Sequence, residues 1–115
     1  MQVTHQKTPD SFVITIKGDI DATTSILVDS EINKIYGSPL KNLWIDCSEV
    51  QYLSSAGVGV FISHLQNLRK YKISLTLYGL KPKLKSVFSV LGLEHYLTLQ
   101  PSLKDLSGII IQELD

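Results

Sequence analysis

The chain has 115 residues, 43% hydrophobic and 19% charged, with Lys+Arg and Asp+Glu both at 11. That is the size of one domain and the composition of a globular chain, not a disordered or fibrous one. A balanced charge argues against a nucleic-acid binder, a single cysteine (Cys47) allows no intramolecular disulfide, and no apolar run is long enough to cross a bilayer.

Val3, His5 and Lys7 form a strand-like piece that ends at the turn signal Thr8-Pro9-Asp10. Phe12, Ile14 and Ile16 then alternate with Val13, Thr15 and Lys17, so the two pieces together predict a hairpin. After Gly18-Asp19-Ile20-Asp21, Asp21 is placed to cap a helix whose stripe is Val28, Ile32 and Ile35, and Gly37-Ser38-Pro39 stops it. Leu43-Trp44-Ile45-Asp46-Cys47 is apolar on successive residues, the pattern of a central strand covered on both faces. Ser54-Ser55-Ala56-Gly57-Val58-Gly59 opens a second helix with Val58, Phe61, Ile62, Leu65 and Leu68 as its inward stripe. Ile73, Leu75 and Leu77 alternate as a strand closed by Gly79. Pro82 suits the first turn of a third helix, with stripe Leu84, Val87, Phe88 and Leu91 and a stop at Gly92. Tyr96-Leu97-Thr98-Leu99 reads as an edge strand. Ser102 and Asp105 resemble a capping box for a last helix facing inward through Leu103, Leu106, Ile110 and Leu114.

Strands alternating with helices require right-handed crossovers onto a parallel or mixed sheet. The expected fold is therefore α/β. One domain spans residues 1–115, with a mixed sheet of about five strands and four helices packed mainly on one side.

Two serines and two glycines stand where a strand hands over to a helix. A helix start exposes unpaired N–H groups and the positive end of the macrodipole, so a hydroxyl can cap it and a phosphate is welcome there. Ser55 reads either as a simple cap or as a phosphate acceptor. Each glycine inside a helix costs about 1 kcal/mol relative to alanine. Gly57 and Gly59 thus point either to close approach of another backbone or to close packing against the protein's own sheet.

Asp46 through Val60, with Leu53-Ser54-Ser55-Ala56-Gly57-Val58-Gly59 at its centre, resembles the signature of STAS domains. This family includes bacterial anti-sigma factor antagonists and cytoplasmic domains of anion transporters. Gly18-Asp19-Ile20-Asp21 resembles its strand-end motif, and Leu80-Lys81-Pro82-Lys83-Leu84 with Leu91-Gly92-Leu93 resembles its downstream pattern. The resemblance implies a phosphorylation-controlled partner switch. The unmodified protein binds an anti-sigma factor with serine kinase activity, and a serine phosphatase resets the cycle. By position, Ser55 matches the phosphorylated serine, with Ser54 as the alternative acceptor. Asp21, Ser54, Ser55, Gly57 and Gly59 match the partner-binding surface. Ser54 stands where relatives commonly carry Asp, and Ala56 where Ser or Thr is frequent. The other function that this family resemblance allows is a constitutive adaptor in a lipid-transport or signalling complex, with no phosphate cycle.

The remaining residues carry plainer readings. Cys47 reads as a small buried hydrophobe, and Asp46 as a functional carboxylate or an acceptor for nearby N–H groups. His5, His64 and His95 have no metal-ligand spacing, so no metal or cofactor is expected. Lys81, Lys83 and Lys85 form a solvated helix start or a contact for an acidic surface. Ser55 lacks the flanking glycines of a nucleophile elbow, and there is no Gly-rich phosphate loop, so no enzyme is expected. Met1–Lys7 carries no apolar leader, which predicts a cytoplasmic protein without membrane insertion. A monomer or weak dimer is expected.

Overall fold

Alternation at a period of two buries one face of a strand, and Phe12, Ile14 and Ile16 are fully buried on β2 (Phe12–Lys17) in the computed structural model. The structure describes residues 1–93 and the backbone of 98–100. β1 (Gln2–Lys7) lies antiparallel to β2, closing with the Thr8 N–H on the Ser11 carbonyl at 2.9 Å. β3 (Asn42–Glu49) and β4 (Ser74–Tyr78) join in parallel, and a three-residue β5 (Thr98–Gln100) follows in parallel at the edge. The spatial order is β1-β2-β3-β4-β5, so the sheet is mixed: one hairpin and then parallel neighbours.

Parallel neighbours need crossovers. Among the described residues three α-helices supply them: α1 (Ser25–Asn33), which runs on into a 3-10 turn at Lys34–Gly37, α2 (Ser55–Lys70) and α3 (Pro82–Val90). Val28 and Ile32 of α1, Phe61 and Leu68 of α2, and Leu84 and Phe88 of α3 enter one cluster with Leu43, Ile45 and Leu77 of the sheet. In-register pairs such as Ile14 with Ile45, and Ile45 with Leu77, keep that cluster continuous across three strands. On β3, Leu43, Ile45 and Cys47 are buried while Trp44 and Asp46 are half-buried, as a central strand requires. β4 ends at Gly79, whose φ of +76° and position against Ser48 (a Cβ would lie 2.8 Å from Ser48 Cβ) exclude a side chain.

Several expected details differ. Asp21 caps a turn at residues 22–24, and the helix proper begins four residues after it, at Ser25. Ile62 is 44% exposed, Val87 37% and Leu91 51%, although all three were expected to face inward. At 100° per residue, Ile62 lies a full step round α2 from Phe61, and Leu91 is already the C-cap of α3. His64 takes the inward place instead, in the spacing Gly57, Phe61, His64, Leu68. Its ring nitrogens meet Asp29 Oδ1 at 2.7 Å and the Tyr36 hydroxyl at 2.8 Å, tying α2 to α1 and to the turn after it. The expected fourth helix, with Ser102, Leu103, Asp105, Leu106, Ile110 and Leu114, lies outside the described residues, as do Tyr96, Leu97 and His95.

Candidate functional site

The loops leaving β2 and β3 are stitched together beyond the sheet. Gly18 N–H donates to the Glu49 carbonyl (3.1 Å), Ile20 N–H to Tyr52 (2.9 Å), and Ser54 N–H to Ile20 (2.8 Å). Ile20 and Leu53 form an isolated parallel bridge. These bonds set the Asp21 turn directly beside the start of α2, at the carboxyl ends of the parallel strands, where α/β sheets commonly place their sites.

Ser54 is the N-cap of α2. Its backbone is extended (φ −75°, ψ 169°), its hydroxyl accepts from the Gly57 N–H at 3.2 Å, and its carbonyl accepts from Val58 at 3.0 Å. Ser55 is therefore the first helical residue, not the cap. Its side chain is exposed, and its hydroxyl has no hydrogen-bond partner among the described residues. The capping duty has passed to its neighbour. An anion on Ser55 would sit at the positive end of a 16-residue helix, beside N–H groups that have no partner within it.

The two glycines separate cleanly. A Cβ on Gly57 would lie 2.6 Å from Leu53 Cδ1 and 2.7 Å from Ile20 Cγ2, so this buried residue is small because the protein's own loops press on it. Gly59 is exposed, and a Cβ there would meet nothing within 4 Å. Of the two sequence readings, close internal packing accounts for Gly57 and leaves Gly59 without an internal cause.

Asp21 is exposed, and its carboxylate is engaged. Oδ1 accepts the N–H groups of Thr23 and Thr24, each at 2.9 Å, while Thr24 Oγ1 accepts the Asp21 N–H at 2.9 Å. This is the reciprocal arrangement of a capping box, with Thr in place of Glu. The backbone and hydroxyl of Thr24 hold the carboxyl below its usual pKa, so Asp21 carries its negative charge in the turn beside the start of α2. Sequence reasoning missed Thr24, yet the Asp-x-x-Thr spacing was legible.

Other candidates resolve into structural roles. Asp46 Oδ1 accepts from the Ser48 N–H (2.9 Å) and hydroxyl (2.7 Å). Burial pushes the Cys47 thiol far above its ordinary pKa, which removes it as a nucleophile. Lys81 Nζ donates to the Ser48 carbonyl at 2.9 Å, while Lys83 and Lys85 are exposed. His5 pairs with Glu31 and stacks on Phe12, while His64 is buried. No group of three His, Cys, Asp or Glu residues among those described is placed to hold a metal ion. No helix of the described residues is long and apolar enough to cross a membrane.

A family model described as STAS domain matches residues 2–106. The anti-sigma-B factor antagonist of Listeria monocytogenes is 29% identical over 103 residues, which is 90% of each chain. Among solved structures, an anti-sigma factor antagonist from Mycobacterium paratuberculosis superposes with a TM-score of 0.79 at 22% identity, covering 90% of this chain and 88% of that one. The Bacillus cell fate determinant SpoIIAA in its phosphorylated form gives a TM-score of 0.73 at 16% identity, covering 99% and 100%. At those identities the structures share the fold.

Proposed function

The chain belongs to the STAS domain family, and from that premise we propose that it is an anti-sigma factor antagonist switched by a phosphate on Ser55. With Ser55 unmodified, the surface formed by the Asp21 turn and the first turns of α2 binds an anti-sigma factor that is also a serine kinase. That kinase phosphorylates Ser55, the complex separates, and a serine phosphatase restores the binding form. The cycle runs in the cytoplasm. The listerial relative bears the name of an anti-sigma-B factor antagonist, which supports the reading.

One observation carries it: the helix is capped by Ser54, so the exposed Ser55 hydroxyl is left over from folding. A phosphate adds about −1.5 to −2 charges and can sit at the helix N-terminus without disturbing the core. Outward, the same charge, added to that of Asp21, opposes any partner whose surface matched a neutral serine. Ser54 is the poorer acceptor, because its side chain is half-buried and its hydroxyl is already engaged by the Gly57 N–H.

The test is to incubate the protein with its kinase and map phosphate by mass spectrometry. Modification at Ser55, lost in Ser55→Ala, is expected, together with weaker partner binding by Ser55→Asp at unchanged circular dichroism. Unmodified serine after incubation, with Ser55→Asp binding as tightly as wild type, would leave a constitutive STAS adaptor in its place.

A further inference from the structure

β1 stands at the edge of the sheet with three strands between it and β5, and its outer side pairs with no strand among the described residues. Edge strands of soluble proteins are commonly guarded by prolines, bulges or lysines, because an open row of N–H and C=O groups recruits another strand. β1 has neither proline nor bulge: it runs in unbroken register against β2, and its one lysine is the last residue. Val3 is half-buried and the other five residues are exposed. The neighbouring helix adds a second feature. Glu31 pairs with His5 of β1 and with Lys34 (2.9 Å), so the side of α1 that carries Leu27, Glu31 and Lys34, spaced by four and three, overhangs β1. Leu27 is 50% exposed there.

We propose that β1 pairs antiparallel with β1 of a second copy of this chain, joining two sheets into one across a twofold axis. This goes beyond the switch reading and does not rest on it. Self-complementarity argues for this occupant. A twofold axis between antiparallel strands stands perpendicular to the sheet and keeps every side chain on its own face, so even positions oppose even and odd oppose odd. Centred on Thr4, the register sets Thr4 against Thr4, Val3 against His5 and Gln2 against Gln6. Hydroxyl then meets hydroxyl, carboxamide meets carboxamide, and Lys7 falls outside the paired stretch. Centring on His5 would set that ring against itself and Lys7 against Val3, and centring on Val3 would shorten the pairing to residues 2–4. Because the axis preserves faces, both α1 helices lie on one side of the joined sheet. Each half-exposed Leu27 is then turned toward the joint, where its apolar area leaves water.

Sedimentation equilibrium of the full chain between about 10 µM and about 1 mM, the range suited to a small interface, is expected to show monomer and dimer in exchange. Thr4→Lys changes an exposed residue and sets two lysines opposite each other across the axis, so it is expected to weaken the dimer about tenfold. Gln66→Lys, the same added charge on the exposed surface of α2, is expected to leave it unchanged, and both variants keep the wild-type circular dichroism. Opposed Cα atoms in an antiparallel pair lie about 4.5–5.5 Å apart, within the span of a disulfide. Thr4→Cys is therefore expected to form a covalent dimer on mild oxidation at least about tenfold faster than Gln66→Cys, with Cys47 buried in both. A monomer mass at every concentration overturns the proposal and leaves the edge to a strand of some other protein. A dimer that Thr4→Lys weakens no more than Gln66→Lys is built on another face and overturns it equally. Equal oxidation rates at positions 4 and 66 refute the register, and the proposal with it.

Discussion

Ser54 and Ser55 are the same residue type in adjacent positions, yet the backbone gives them opposite duties. Ser54, half-buried and extended, spends its hydroxyl on the Gly57 N–H, while the Ser55 hydroxyl points to solvent. Loss of an N-cap serine costs about 1 kcal/mol, whereas exposed changes away from such features stay within about 0.5 kcal/mol. Urea denaturation of Ser54→Ala and Ser55→Ala is therefore expected to show a loss of stability in the first and next to none in the second. Equal losses would mean that the two hydroxyls share the cap, and the spare hydroxyl would be gone. The sequence placed a capping serine and a modifiable serine in this pair but could not divide the duties, because the division depends on where the chain turns from extended to helical. The Ile20–Leu53 bridge sets that point, and its two halves are 33 residues apart.

At the scale of the helix, the periodic stripe of α2 was legible, since Val58, Phe61, Leu65 and Leu68 all face the core. Ile62 and His64 were not, because hydropathy sends isoleucine inward and histidine outward. The geometry reverses both: His64 finds Asp29 and Tyr36 between the helices, and Ile62 lies on the open side. Glycine identity was equally silent. Spacing treats Gly57 and Gly59 alike, but only Gly57 touches Ile20 and Leu53. Alanine at Gly59 gains up to about 1 kcal/mol of helix propensity at no steric expense. Alanine at Gly57 gains the same but drives its Cβ against the fully buried Ile20, and overpacking of this kind costs about 1–3 kcal/mol. The two variants should shift the unfolding midpoint in opposite directions, Gly59→Ala up and Gly57→Ala down. A rise in both would show that the contact at Gly57 relaxes freely.

Across the whole molecule, a mixed sheet was legible because a hairpin followed by strand–helix alternation admits few sheets, while the order β1-β2-β3-β4-β5 came from the structure. That topology places every loop that follows a parallel strand at one edge and the packed cluster of Val28, Phe61, Phe88 and their neighbours behind it. Ser55, the proposed switch point, is thus attached to the core through α2 while it is itself exposed. A negative charge added at Ser55 should consequently have opposite effects on folding and on binding. At the first turn of a helix a carboxylate is worth about 0.3–1 kcal/mol at low ionic strength, and salt screens it. Ser55→Asp is therefore expected to unfold at the same or a slightly higher urea concentration than wild type in dilute buffer. Near 1 M salt the difference should disappear, and the slope of the transition should be unaltered throughout, since no buried surface changes. Its affinity for the partner should fall under the same dilute conditions. A phosphomimic that lost stability and binding in parallel would instead be a damaged fold, and the separation of core from switch would be wrong.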